Sequence, residues 1–280
     1  MKEYYLRLNS LCDANCIFCE TRTSKIEFKL KKKLDLILEL KRQGYNKIII
    51  TWWEPTIYFY KMIFLVKFCL KLWFRVSLQT NWLSSNNIDI AKKITSLNFD
   101  DIMISFHSHK KYDFEYIYQK TWSFEKICTW IDNLLKLRNN IFINIVVNRE
   151  NKDYITDILF FLNKRFPWIK MVALSWINPI KDYNSSIILK KSEIYNIIKK
   201  VLNDKFKFSF ELYPNYFWIP YCIVDLNDFK HIDLNDFNNE WLYENIKVAK
   251  CKNCLFYDKC KWINKLYLEK YGSDEFTPII

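Results

Sequence analysis

The amino-acid sequence predicts an α/β protein, namely a partial (βα)6 TIM-like barrel with a small C-terminal cysteine-bearing extension. Short apolar runs alternate with helical patterns six times before about residue 180. The runs are almost continuously apolar, which is typical of parallel strands covered by helices. After about residue 185 the alternation stops and a cysteine-bearing tail follows. We therefore expect a barrel domain over residues 1–185 and a C-terminal region over residues 186–280.

Each element is predicted from its local pattern. The first helix places Leu30, Leu34 and Ile37 on one face, and Gly44 stops it. Strands are predicted at residues 4–9, 46–51, 75–80, 101–106, 142–147, 170–175 and 207–212. Helices are predicted at residues 28–43, 58–72, 88–97, 124–137, 154–164 and 193–202. Six βα steps indicate a partial barrel, whose ligands bind at the C-terminal ends of the strands.

Composition narrows the class of protein. Half of the 280 residues are hydrophobic, which excludes a disordered chain. The net charge of +12 is compatible with a polyanionic partner. However, Lys, Ile, Asn, Phe and Tyr all have A/T-rich codons, so a biased genome also explains the charge, and we do not expect a nucleic-acid partner. The segment MKEYYLRLNS lacks the apolar core of a secretory signal, and the apolar stretch 62–74 contains Lys67 and Lys71.

We therefore expect a cytoplasmic protein without a membrane partner. In a reducing compartment, nine cysteines are metal ligands or buried thiols more often than disulfides.

The most unusual feature of the composition is its low glycine content. The chain has two glycines and eleven tryptophans, although average usage would give roughly 20 glycines. Positions that need a positive φ therefore lack their usual occupant.

The first cysteine group directly follows the first predicted strand. Cys12, Cys16 and Cys19 have the spacing C-x3-C-x2-C. Three thiolates on a short loop can hold three irons of a [4Fe–4S] cluster and leave the fourth iron open for chemistry. A zinc site is the alternative from spacing alone.

With this position and spacing, the sequence resembles the radical S-adenosylmethionine (SAM) superfamily. The aromatic residue that the family places before the third cysteine is Phe18. Where the family has Gly-Gly-Glu-Pro after the second strand, this chain has Trp52-Trp53-Glu54-Pro55, and where it has Thr-Asn-Gly after the third strand, this chain has Thr80-Asn81-Trp82. The similarity covers roughly residues 4–180.

The resemblance implies cofactors and a mechanism. A [4Fe–4S] cluster on the three cysteines would reductively cleave SAM to a 5′-deoxyadenosyl radical, which abstracts hydrogen from the substrate. Trp52, Trp53, Glu54, Thr80 and Asn81 occupy the SAM-binding motifs, and Glu54 would pair with the amino group of SAM. The electron would come from a small donor such as flavodoxin or ferredoxin.

The fourth and fifth predicted strands supply further candidate site residues. Similar enzymes place a serine against SAM at the position of Ser105, and Asn144 on the fifth strand is a candidate for the same task. His107 and His109 follow Ser105 and have the chemistry of an acid or base. Hydrogen-bonded loop histidines are the alternative for both.

Tryptophan stands where the family has glycine, which leads to a hypothesis about decoding. We expect that most or all of these tryptophans are glycines encoded by UGA. The same exchange appears at turn-like or family-glycine positions elsewhere, namely Trp73, Trp122, Trp130, Trp168, Trp218 and Trp262. If Trp52 and Trp53 are literal, the two indoles fill the SAM pocket, and the chain is a non-catalytic iron–sulfur or zinc-binding protein.

A second cysteine group lies in the tail. Cys251, Cys254 and Cys260 have the spacing C-x2-C-x5-C, and Cys222 is the expected fourth ligand. The spacing resembles the auxiliary-cluster tails called SPASM or twitch domains, which implies a second [4Fe–4S] cluster; a structural zinc site is the alternative. Because such tails are common in enzymes that modify peptides, the resemblance implies a peptide or protein substrate.

Overall fold

A computed structural model describes residues 2–19, 26–83, 87–137, 140–177, 185–212, 219–224, 245–260 and 263–280. Trp218 and Trp262 lie outside these residues. Within the described part of the chain, none of the helices combines the length and the apolar character needed to cross a membrane.

Seven strands form one open sheet with the order β1-β2-β3-β4-β5-β6-β7. Their bounds are β1 Glu3–Arg7, β2 Lys47–Thr51, β3 Arg75–Thr80, β4 Ile102–Ser105, β5 Ile141–Val147, β6 Met171–Trp176 and β7 Ser209–Leu212. The pairs from β1 to β5 are parallel and adjacent in sequence order. This open parallel sheet confirms the predicted α/β class and the partial TIM-like barrel.

Eight helices are present in the described residues. Their bounds are α1 Leu30–Arg42, α2 Phe59–Lys71, α3 Ile88–Thr95, α4 Lys111–Tyr118, α5 Ser123–Leu137, α6 Ile155–Arg165, α7 Lys191–Leu202 and α8 Lys265–Tyr271. The short helix α4, with the sequence KYDFEYIY, was not predicted.

The core of the sheet comes from alternate residues on each strand. Successive strand residues point to opposite faces. One face carries fully buried aliphatic side chains, including Leu6, Ile48, Ile50, Val76, Leu78, Ile102, Ile104, Ile143 and Ile145. The other face is more polar, and there the side chain of Thr51 bonds to that of Gln79 over 2.5 Å. Burial of the aliphatic face therefore fixes the register of the strands, and the more polar face is the one that can contact a ligand.

The chain divides into two compact units. Unit 1 comprises Met1–Val146, Asp157–Leu174 and Phe206–Glu211. Unit 2 comprises Val147–Thr156, Ser175–Lys205 and Leu212–Ile280. The chain passes between the units several times, and the predicted division at residue 185 stays a prediction.

In the described residues of unit 2, the α-helices are α7 and α8. Two-residue strands, β8 Asn245–Ile246 and β9 Ile263–Asn264, form an antiparallel pair. A small buried cluster of Ile263, Tyr267 and Phe276 packs beside them.

Candidate functional site

The loop with Cys12, Cys16 and Cys19 follows β1 at the C-terminal edge of the sheet. The backbone N–H groups of Asn15 and Ile17 donate to the carbonyls of Tyr118 and Ile117 over 3.0 and 2.9 Å. These carbonyls are at the C-terminal end of α4, where a helix leaves acceptors without partners of its own. The unpredicted helix α4 thereby holds the cysteine loop in place.

Glu54 is the centre of a buried hydrogen-bond network after β2. One carboxylate oxygen accepts from the Thr56 amide at 2.9 Å, from the Thr56 hydroxyl at 2.5 Å and from the Thr80 hydroxyl at 2.7 Å. The other accepts from the amides of Asn81 and Trp82 at 2.8 and 3.1 Å. Burial raises the pKa of Glu54, and the bonds from Thr56 and Thr80 oppose this shift. The carboxylate thus joins the loop after β2 to the loop after β3.

Asn81 connects this network to the cysteines. Its side-chain Nδ2 donates to Cys12 Sγ over 3.1 Å, and the Ala14 amide lies 3.5 Å from the same sulfur. The Glu54 amide donates to the Leu11 carbonyl at 3.0 Å. The three sequence motifs therefore meet at one edge of the sheet.

The sulfur of Cys12 has surroundings that suit a metal-bound thiolate. Burial raises the pKa of the free Cys12 thiol to about 12, so the thiol is neutral at ordinary pH. An iron or zinc ligand must lose that proton, and the N–H donors of Asn81 and Ala14 stabilise a charged sulfur. The donor set at Cys12 therefore fits an iron–sulfur cluster.

Phe18 and His107 form an apolar wall beside the loop. Their rings meet edge to face with centroids 4.7 Å apart, and His107 stacks on Tyr118 at 5.2 Å. Burial lowers the pKa of His107 to about 3, and its Nδ1 accepts from the Val146 amide at 3.1 Å. A histidine held neutral in this way packs and orients the loop, which favours the structural alternative over acid–base chemistry.

The remaining candidates lie on the neighbouring strand ends. Ser105 and Asn144 are register partners on β4 and β5. The Ser105 carbonyl accepts from the Tyr118 hydroxyl over 2.7 Å. His109 is half-buried; burial lowers its pKa, while the charge of Asp157 acts in the opposite direction.

Trp52 and Trp53 both have positive φ, at 73° and 49°. The Trp52 ring lies under the guanidinium of Arg7 with 3.3 Å between the carbon and the ring centroid. Seven non-glycine residues of the described chain have positive φ, and five are tryptophans: Trp52, Trp53, Trp73, Trp82 and Trp122. An L-residue in this region costs about 1–2 kcal/mol, which glycine avoids.

The four tail cysteines Cys222, Cys251, Cys254 and Cys260 line one cavity in unit 2. Tyr221, Tyr257 and Phe276 supply its aromatic walls. Burial, with smaller contributions from the nearby Cys260 and Cys251, raises the pKa of Cys222 to about 11. The cavity collects thiols from two separate chain segments. Within the described ranges, no three His, Cys, Asp or Glu side chains converge as ligands of a single ion.

Sequence reasoning missed Asp13, Arg7 and Tyr118. Both carboxylate oxygens of Asp13 are buried and have no hydrogen-bond partner among the residues that the structure describes. Burial raises the pKa of Asp13, and the nearby Asp13 backbone amide and Asn81 side chain oppose this shift, followed by the charges of Lys120 and Lys126. The position of Asp13 between Cys12 and Cys16 was the available signal, whereas Tyr118 lies on the helix that was not predicted.

Comparison with known proteins identifies the family. The sequence model described as the Radical SAM superfamily matches residues 7–162, which is more than half of the chain. This chain belongs to the radical SAM superfamily. The prediction of an enzyme of this superfamily is confirmed at that level. No curated protein sequence matches the chain.

Several solved structures share the fold of this chain. Streptococcus suis SuiB bound to S-adenosylmethionine matches with a TM-score of 0.69 and 14% identity, over 99% of this chain and 76% of that chain. Another SuiB structure matches with a TM-score of 0.64 and 15% identity, over 75% of this chain and 49% of that chain. The anSMEcpe structure with bound AdoMet and Cp18Cys peptide has a TM-score of 0.58 and 16% identity, over 72% of this chain and 58% of that chain. In the second SuiB alignment the match thus spans about half of the relative's length.

Proposed function

We propose that this radical SAM protein binds a [4Fe–4S] cluster through Cys12, Cys16 and Cys19 and uses it with SAM to remove hydrogen from a substrate. The network from Cys12 through Asn81 to Glu54 carries the proposal, because it brings the cysteine loop together with both predicted SAM-binding segments. When bound, the cluster and SAM supply reductive cleavage of the C5′–S bond of SAM.

In this proposal, the residues of the chain bind and orient the cluster and SAM, and they exclude water from both. Asn81 orients Cys12 and stabilises its thiolate. Glu54 accepts five hydrogen bonds from within the chain, so we propose that it positions the SAM-binding loops and that backbone groups at positions 52 and 53 contact SAM. Phe18, His107 and Tyr118 exclude water from one side of the loop. Ser105 and Asn144 stay candidates for polar contacts with SAM.

Anaerobic reconstitution with iron and sulfide, followed by measurement of 5′-deoxyadenosine from SAM, tests this function. We expect 5′-deoxyadenosine from the reconstituted chain and none from a Cys12→Ala, Cys16→Ala, Cys19→Ala variant. A Cys69→Ala variant is the control, since Cys69 is a buried thiol of α2. Production of 5′-deoxyadenosine by the triple variant would contradict the assignment of the cluster to these cysteines.

We propose further that the natural protein has glycine at the five tryptophans with positive φ. The concentration of tryptophan at these backbone positions supports the decoding hypothesis. Trp73 and Trp122 are also 84% and 67% exposed, which is unusual for so large an apolar side chain. Two of the five positions, 52 and 53, are those at which SAM would need to approach the backbone.

Trp130 and Trp168 have weaker support for the same exchange. Neither has a positive φ. Trp130 lies inside α5 and stacks on Trp82 with ring centroids 4.3 Å apart. Its buried indole Nε1 has no hydrogen-bond partner in the described part of the chain, whereas buried tryptophans usually have one. This unpaired donor is the one structural feature that supports glycine at position 130.

The gene sequence and a peptide mass spectrum test the decoding. We expect UGA codons at positions 52 and 53, and glycine masses in the native peptide that contains them. Binding of SAM to recombinant protein gives a second test. The variant that combines Trp52→Gly and Trp53→Gly should bind SAM more tightly than the tryptophan form. The control variant Trp168→Gly should bind SAM no more tightly than the tryptophan form. If only the tryptophan form occurs natively and it does not bind SAM, the alternative of a non-catalytic iron–sulfur or zinc-binding protein replaces the proposal.

For the tail cysteines we propose a second [4Fe–4S] cluster in a SPASM- or twitch-like region. Their common cavity and its aromatic walls support a site for a group larger than a single ion. The similarity to the SAM-bound SuiB structure, which extends over 99% of the chain, also includes this region. Iron, sulfide and zinc analysis decides between the alternatives: about eight irons per chain supports two clusters, and about four irons with one zinc supports a structural zinc site.

A peptide or protein is the proposed substrate class. Solved structures of similar fold include SuiB bound to precursor peptide SuiA and anSMEcpe with a Cp18Cys peptide. Incubation with candidate peptides encoded beside the gene, followed by mass spectrometry, tests this class. A mass change that requires both SAM and reductant supports it, and turnover of only small metabolites contradicts it.

A further inference from the structure

The solvent-facing side of α2 carries two large aromatic residues among lysines. Tyr60, Phe64, Lys67 and Lys71 follow the i, i+4, i+7, i+11 spacing of one helix stripe, and Lys61 borders it. Tyr60 is 75% exposed and Phe64 is 50% exposed, while the opposite side of α2 is buried. We call these five residues the α2 face. Exposed aromatic side chains with a polar rim are typical of protein interfaces.

The charge of this surface has one sign. Residues 55–74 contain three lysines and no aspartate or glutamate. The neighbouring helix α1 contacts α2, and residues 29–33 at its start contain four more lysines, of which Lys29 pairs with Glu27 at 2.9 Å. Such a surface attracts an acidic partner and speeds its association.

The α2 face begins beside the cysteine loop. Ser10, two residues before Cys12, bonds to both backbone groups of Ile26, with Oγ 2.9 Å from the amide nitrogen and 3.1 Å from the carbonyl oxygen. Two residues on, the Phe28 ring lies 5.4 Å from the Tyr58 ring. Lys61 Nζ lies 4.9 and 4.6 Å from these two ring centroids. A continuous set of contacts therefore leads from the cysteine loop to the aromatic end of the stripe.

We infer that the α2 face is the docking surface for a small acidic one-electron carrier protein of the flavodoxin type. The inference rests on the proposed function: reductive cleavage of SAM consumes one electron, which the reduced carrier supplies as it becomes oxidised. Charge complementarity selects an acidic partner, and the exposed aromatic pair fits the apolar centre of a protein interface better than a phosphate backbone. The contacts from Ser10 to Lys61 place the first turn of α2 on the side of the cysteine loop.

Direct binding tests the surface without turnover. The probe is purified flavodoxin, and its Kd for the full chain is measured at low and high salt. A variant that combines Lys61→Glu, Lys67→Glu and Lys71→Glu should have a Kd about tenfold higher or more at low salt. Its difference in Kd from the unchanged chain should shrink at about 0.5 M salt. The neutral variant Lys61→Gln, Lys67→Gln, Lys71→Gln should show a smaller rise. Charge reversal of the exposed Lys92, Lys93 and Lys136 on α3 and α5 is the matched control and should leave the Kd within about twofold.

Turnover with two electron sources gives the second readout. With flavodoxin, the α2-face variants should produce 5′-deoxyadenosine about tenfold more slowly. With dithionite, which needs no docking surface, they should match the unchanged chain. Unchanged flavodoxin affinity, equal weakening in the control variant, or equal loss with both electron sources would overturn the inference. Weaker binding of a single-stranded oligonucleotide with unchanged flavodoxin binding would overturn it in favour of nucleic acid. A chain that yields no 5′-deoxyadenosine even with dithionite refutes the proposed function, while the flavodoxin Kd still decides the docking surface.

Discussion

The two cysteine sites differ in how much protein structure surrounds them. The loop from Cys12 to Cys19 sits at the edge of a parallel sheet, and the end of α4 and Asn81 hold it. The tail cysteines sit among turns and two-residue strands, beside a core of three buried side chains. For the part of the tail that the structure describes, three buried side chains are a small core, and a bound metal contributes folding free energy to small regions. We infer that the protein shapes the first site, whereas the proposed metal would shape the second.

Removing each set of thiols gives the largest expected contrast. Replacing Cys12, Cys16 and Cys19 by serine should abolish 5′-deoxyadenosine formation and leave the thermal unfolding of unit 1 nearly unchanged. Replacing the four tail cysteines should lower stability and reduce SAM cleavage less. Iron analysis, calorimetry and the SAM-cleavage assay measure the three quantities. If the tail variant is as stable as the unchanged chain, the tail region does not depend on its thiols for stability, which contradicts the proposed difference between the two sites.

Metal removal from the intact chain should act mainly on unit 2. Structural metal sites contribute folding free energy directly, up to about 10 kcal/mol or more for zinc-finger peptides. After chelation under anaerobic conditions, amide exchange should become fast in α8 and stay slow in β2 and β3. Hydrogen exchange with mass spectrometry resolves the two regions. Equal loss of protection in both would show that the first site also depends on its metal for structure.

Glu54→Gln should weaken the protein network at the first site. The carboxylate accepts five hydrogen bonds, while an amide offers one oxygen and turns two hydrogens toward donors. We expect a loss of about 2–4 kcal/mol in the free energy of unfolding of unit 1. Glu39→Gln is the matched control, since Glu39 pairs with Arg42 on the surface of α1, and it should cost less than about 1 kcal/mol. Equal stability of the two variants in denaturant unfolding would mean that Glu54 does not hold the loops.

Trp73→Gly tests the backbone cost at a distance from either site. Trp73 has a φ of 61° and is 84% exposed, so glycine removes strain and little packing. We expect a gain of about 1 kcal/mol in stability. Trp168→Gly, at an exposed position without positive φ, should give no gain and is the control. A Trp73→Gly variant less stable than the parent would count against glycine at that position.

The sheet could be predicted from the sequence because short, almost continuously apolar runs locate the strands within a residue or two. The predicted strand at residues 75–80 is the observed β3, and β2 begins one residue later than expected. Helix α4 could not be predicted, because its residues Phe114, Ile117 and Tyr118 become a buried face only once the sheet is present. The cysteines and the motif residues were visible as spacings. The role of Glu54 as an acceptor of five donors depends on the meeting of two loops, which no spacing reveals.

Lys191 offers an effect that depends on pH and sharpens the account of unit 2. Burial lowers the pKa of Lys191 to about 7 from 10.5, and the charge of Glu275 opposes the shift. The unfolded chain therefore binds more protons than the folded chain between about pH 7 and 10.5, so this group makes stability rise with pH in that window. Relative to Lys191→Met, the stability of the unchanged chain should rise by at most about 1.4 kcal/mol per pH unit from pH 7 to 9, and the difference should level off below pH 7. The exposed Lys190→Met is the control and should keep the pH dependence of the unchanged chain. If Lys191→Met shows that same dependence in calorimetry, the buried ammonium is not what sets the pH response of unit 2.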